Sequence, residues 1–154
     1  MPVILSRRTL IASAAAMLAL PARAEVPAIH VVKDPDCGCC GAWVAHLTAE
    51  GFAATIEERD IESLAAYKLE MGVPANLASC HTATIAGYVI EGHVPAADIL
   101  RPLAEQPDAI GLSVPGMPYG SPGMGPEAER EAYDVVLLHR DGGSSVFTSY
   151  AAAT

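Results

Sequence analysis

Residues 37–40 read Cys-Gly-Cys-Cys, so three of the four cysteines in this 154-residue chain fall within four positions. The fourth, Cys80, follows 40 residues after Cys40. Such a cluster permits a disulfide, a redox switch or a metal site. A staple needs only two thiols, and adjacent cysteines rarely bond each other. Cys37 and Cys40 have the Cys-x-x-Cys spacing of a redox pair. An apolar helical pattern follows directly. Helix N-terminal N–H groups stabilise a thiolate, which makes it both a nucleophile and a metal ligand.

Two further groups carry soft or borderline donors. Met117 and Met124 lie in the Pro/Gly-dense stretch 114–125, as Gly-Met-Pro and Gly-Met-Gly. Flanked this way, they either fill a gap under the loop or offer thioether sulfur to the cysteines. A thiolate–thioether set selects Cu(I) and disfavours Mg, Ca and Mn. His81 adjoins Cys80 and reads as a ligand or as a donor behind one; His93 precedes a helix and is a second candidate. His30, His46 and His139 are assigned no role.

The elements that must position these residues follow from periodicity. Residues 29–33 read as a buried strand, 39–51 as a helix, 52–58 as a strand and 61–72 as a helix. In that second helix Ile61, Leu64, Ala65 and Leu69 are expected on one face, and Met71 in the core. Residues 73–81 read as a loop or as a loop with a helical turn. Residues 82–92 form two strands about Ala86-Gly87, and 94–105 form a helix that Pro102 shortens or kinks. Residues 133–139 and 144–150 are strands around Arg-Asp-Gly-Gly, a hairpin signal.

Residues 1–24 read as an export signal: Arg7 and Arg8, an apolar stretch 10–20, and a small-x-small site at 22–24. Ser6-Arg7-Arg8 resembles the start of a twin-arginine signal. The apolar stretch is shorter than the roughly 20 residues that span a bilayer. Residues 25–154 then form a single domain in the periplasm, with no membrane role after cleavage. They carry 6 Lys and Arg against 18 Asp and Glu, a net charge of −12. That excess argues against nucleic acid and anionic lipid as partners and suits a protein that meets cations.

The order β-α-β-α-β-β-α resembles the thioredoxin fold. The expected class is α/β: a thioredoxin-like βαβαββα core with a C-terminal loop and β-hairpin extension. Cys37 and Cys40 stand where that fold keeps its redox pair and are the catalytic candidates. Ser79-Cys80-His81-Thr82-Ala83 takes the place of the loop that carries a cis-proline, so the analogy brings Cys80 to the other three sulfurs.

The segments VVKDPDCGCCGAWVAHLTAEGF, GVPANLASCHTATIAGYVIEGHVPAADI, GLSVPGMPYGSPGM and YDVVLLHRDG cover most of residues 31–143. On them the chain resembles the CopG-like family, small periplasmic proteins often encoded with copper-resistance genes. The resemblance implies copper held by clustered cysteines, an oxidoreductase role in copper handling, and copper ions and other periplasmic copper-handling proteins as partners. The expected site is Cys37, Cys39, Cys40 and Cys80, with Met117, Met124, His81 and His93. Bridging thiolates there can hold several Cu(I) ions. The alternatives are a thiol–disulfide oxidoreductase without stable metal, and a zinc or iron–sulfur protein, since four cysteines suit both by count. A purely structural bond such as Cys40–Cys80 leaves two cysteines unexplained.

Overall fold

The computed structural model describes residues 26–154, so the expected export signal lies outside the described residues. The chain begins with β1 (Ile29–Lys33), α1 (Gly38–Ala49), β2 (Ala54–Glu58) and α2 (Ile61–Glu70). After a 3-10 turn at Ala75–Leu77 come β3 (Thr82–Ile85), β4 (Tyr88–Glu91) and α3 (Ala96–Glu105). Then follow β5 (Gly111–Ser113), a second 3-10 turn at Glu127–Glu129, β6 (Tyr133–Leu138) and β7 (Ser144–Tyr150).

One mixed sheet runs β2-β1-β3-β4-β5-β6-β7. β1 pairs parallel with β2 and antiparallel with β3, and β3 pairs antiparallel with β4. Ala86 and Gly87 both have positive φ and turn the β3–β4 hairpin, as a two-residue connection requires.

The C-terminal hairpin is not a separate extension. β5 pairs parallel with β4 and antiparallel with β6, so the hairpin continues the same sheet. Three residues beginning with glycine give too little alternation to read β5 from sequence. Asp98 on α3 fixes the hairpin further, accepting hydrogen bonds from Thr148 Oγ1 and from the Tyr150 hydroxyl, each at 2.7 Å.

The core lies between the sheet and its helices, around Ile29, Val31, Trp43, Leu47, Ile90 and Leu112. α1 buries Cys40, Trp43 and Leu47, which are three and four residues apart and so share a face. Of the four α2 residues expected on one face, only Leu64 is buried. Ile61 is 76% exposed and Leu69 68% exposed, and Met71 is only half-buried. The reason is the direction of packing: Lys68 and Tyr67, partly buried, face the sheet side instead. No helix among the described residues is long and apolar enough to cross a membrane.

Candidate metal centre

The Cys37–Cys40 end of α1 is held from both sides. Below it, the nearly buried Lys33 donates to the carbonyls of Asp34 and Pro35, and to Glu58 Oε1 at 3.4 Å. This pins the turn that delivers Cys37 to the N-cap of α1. Deeper in, Trp43 Nε1 donates to the carbonyl of Val94 at 2.9 Å, locking α1 to the segment after β4.

Cys80 reaches the same place from the loop that leads into β3. Buried Glu91 accepts from the Ser79 amide at 2.6 Å, from Thr82 Oγ1 at 2.6 Å and from Lys68 Nζ at 2.7 Å. Its carboxylate therefore clamps both sides of Cys80-His81. Gly92 closes the clamp: its φ is +72, and a Cβ there would collide with Ser79. Burial pushes the Glu91 carboxyl up, while Lys68 beside it pulls down.

The result is four sulfur atoms within 4.8 Å of one another: Cys37, Cys39, Cys40 and Cys80. Cys37 and Cys40 are joined as a disulfide, and Cys39 and Cys80 are free thiols. The disulfide is thus not the Cys40–Cys80 bond considered from sequence. Cys39 Sγ lies 3.5 Å from Cys37 Sγ and 3.9 Å from Cys80 Sγ. Burial pushes the Cys80 thiol up to about 12, and neighbouring Cys39 adds to that.

Both candidate histidines are fully buried beside Cys80. His81 Nδ1 is 3.4 Å and His93 Nε2 3.1 Å from its sulfur. These three residues form a second donor group, again within 4.8 Å. His81 packs on Trp43, ring centroids 4.3 Å apart, and edge-on to His93 at 5.1 Å. Burial lowers the pKa of both rings, so both are neutral, the state in which imidazole binds metal.

The Pro/Gly loop covers this region. His93 Nδ1 donates to the Pro122 carbonyl at 2.8 Å, and Gly123 sits against the α1 backbone. Its φ is +85, and a Cβ at this position would stand 2.6 Å from Trp43 N and 2.9 Å from the Cys39 carbonyl oxygen, so only glycine allows this approach. Met124, the next residue, is half-buried. Met117 is 55% exposed, but its neighbour Gly116 donates its amide to the Ala78 carbonyl at 3.1 Å and accepts from Ser79 Oγ. Both methionines therefore lie on a loop anchored beside Cys39 and Cys80.

A groove of about 400 Å³, lined by Ile61, Leu64, Ala65, Lys68, Asp34 and Asp36, opens onto Cys37 and Cys80. The exposed face of α2 forms its apolar wall. Sequence reasoning also missed Lys68, Ser79 and Glu91. The available signal was Glu91 itself, a lone carboxylate in the apolar run Tyr88-Val89-Ile90 just before Gly92 and His93.

The profile of a family described as "Protein of unknown function, DUF411" matches residues 77–124, the stretch from the Cys80 loop through Met124. No curated protein matches the chain. Two solved structures are similar to it, named "Copper resistance protein copG- Form 1" and "Copper resistance protein copG- Form 2". They are 49% and 48% identical, each covering 82% of this chain and 99% of its own, with a TM-score of 0.75. At that identity and coverage, the chain belongs to the CopG family of copper resistance proteins.

Proposed function

We infer that this is an exported copper-binding protein of copper resistance, which holds Cu(I) through Cys37, Cys39, Cys40 and Cys80. The observation that carries the reading is the convergence of four sulfurs within 4.8 Å at the start of α1. Thiolates in such a cluster select soft ions, and bridging sulfur accommodates more than one of them. Met117 and Met124 supply thioether support from the covering loop, and His81 and His93 supply imidazole. The copper-resistance names of the two similar structures favour copper over zinc or an iron–sulfur cluster. The order β2-β1-β3-β4 supports reading residues 29–105 as a thioredoxin-like unit. Residues 1–24 act as the export signal and residues 25–154 work in the periplasm.

A second, compatible reading is favoured by the disulfide between Cys37 and Cys40. Closing it from two thiols releases two protons and two electrons, which two Cu(II) ions accept in becoming Cu(I). It also removes two of the four thiolate ligands, so the redox state of the pair sets how copper is held.

The test is the metal content and luminescence of the protein purified without reductant from copper-supplemented cells. Thiolate-bridged Cu(I), with its orange emission, supports the reading. Stoichiometric zinc, or the visible absorption of an iron–sulfur cluster, contradicts it.

A further inference from the structure

With Cys37 and Cys40 joined, the four-sulfur site cannot exist, yet one thiol keeps a complete set of neighbours. Cys80 is shared between the sulfur cluster and the group with His81 and His93. Its sulfur lies 3.1 Å from His93 Nε2 and 3.4 Å from His81 Nδ1. A tetrahedral ion with bonds of about 2.0–2.3 Å holds its ligands about 3.3–3.8 Å apart. Little movement separates these donors from such a shell.

The hydrogen positions favour the same conclusion. His93 Nδ1 donates to the Pro122 carbonyl at 2.8 Å, which leaves the Nε2 lone pair facing Cys80. An imidazole ligand whose other N–H is fixed by a carbonyl is the usual arrangement at metal sites. His81 differs. Its Nε2 is buried and has no hydrogen-bond partner among the described residues. An ion on its Nδ1 would move the ring hydrogen to that unpartnered nitrogen. Cys80 and His93 therefore carry most of the affinity and His81 less.

We propose that the disulfide form of the protein keeps a separate one-ion site made of Cys80, His93 and His81. One sulfur and two imidazole nitrogens suit a borderline divalent cation of the Zn²⁺, Co²⁺ or Cu²⁺ kind, and not a Cu(I) cluster. Three protein ligands leave one position open. Oxidation of Cys37–Cys40 then exchanges a soft multi-ion site for a borderline single-ion site through the common ligand Cys80. The proposal deepens the reading of this region as a metal centre. It is tested on the oxidised chain, where the four-thiolate site is absent, so the two readings fail separately.

The experiment is an anaerobic Co²⁺ titration of the mature chain carrying the Cys37–Cys40 bond, with two free thiols verified by counting. One Co²⁺ per chain is expected, with a thiolate-to-cobalt band in the near ultraviolet. His93→Asn keeps a donor for the Pro122 carbonyl but lacks Nε2, and is expected to bind at least tenfold more weakly. His139→Asn, at the β6–β7 turn, is expected to bind as the parent does. A variant-free check follows the imidazole ¹⁵N signals of the parent on adding Zn²⁺: His93 Nε2 shifts and those of His30 and His139 do not. The proposal is overturned by absence of one-to-one binding, by undiminished binding in folded His93→Asn, by an equal loss of binding in His139→Asn, or by an unmoved His93 Nε2 signal.

Discussion

His93 Nε2 stands 3.1 Å from the Cys80 sulfur, although the two residues lie on opposite sides of the β3–β4 hairpin. The β3–β4 register explains the meeting. Thr82 pairs with Glu91, so the residues flanking that pair project from the same end of the sheet. α1 delivers the other three cysteines to this end, and the Pro/Gly loop closes it through Pro122 and Gly123.

The Glu91–Lys68 pair under Cys80 is buried, with side-chain exposures of 0% and 11%. Lys68→Met removes the cation and leaves a buried carboxylate with less compensation. A loss of about 3–5 kcal/mol is expected, measured by urea unfolding. Lys68→Met combined with Glu91→Gln restores much of it, because no unpaired charge remains. Equal losses in the single and double variants would show that the pair does not act through its charge.

Gly123→Ala forces a side chain into the α1 backbone at a left-handed φ of +85. The strain alone costs about 1–3 kcal/mol where the fold tolerates it. The loop at 114–125 is expected to lift, so limited proteolysis cuts there several-fold faster while cleavage elsewhere is unchanged. An unchanged cleavage pattern would mean that the loop is not held by this contact.

The metal-free protein is expected to lose stability toward both pH extremes. Burial raises Cys80 from an ordinary 9.0, and Tyr133 from 10.0, each to about 12. Between about pH 9 and 12 the folded chain binds more protons than the unfolded one, so stability falls as pH rises through that window. His81 and His93 are lowered from 6.5, so the unfolded chain binds more protons on the acid side. Stability is therefore lost as pH falls below about 6.5. Urea midpoints at pH 5, 7.5 and 10.5 test both arms, and Cys80→Ser shallows the alkaline one.

Much of this fold was legible because its elements carry their own periodicity. The alternating and β-branched run of β1, the three- and four-residue spacing of Trp43 and Leu47, and the Ala86-Gly87 turn are local signals. Ile61 and Leu69 are exposed: a helical repeat says which residues share a face, not whether another element covers it. β5 was invisible because three residues make no pattern without the strands on either side. At the site, Cys37, Cys39 and Cys40 announce themselves by spacing. Bringing Cys80 to them required the fold analogy. Glu91, Lys68 and the Pro122 carbonyl act only through contacts across the sheet, which no local pattern encodes.

The central claim is that the four cysteines hold Cu(I) together. An anaerobic Cu(I) titration of the fully reduced mature chain, in competition with a Cu(I) chelator of moderate affinity, tests it most directly. More than one Cu(I) per chain is expected to survive the competition, and Cys80→Ser, although outside the Cys37–Cys40 turn, is expected to lose most of it. Complete transfer of copper to the chelator, or full retention in Cys80→Ser, would contradict the claim.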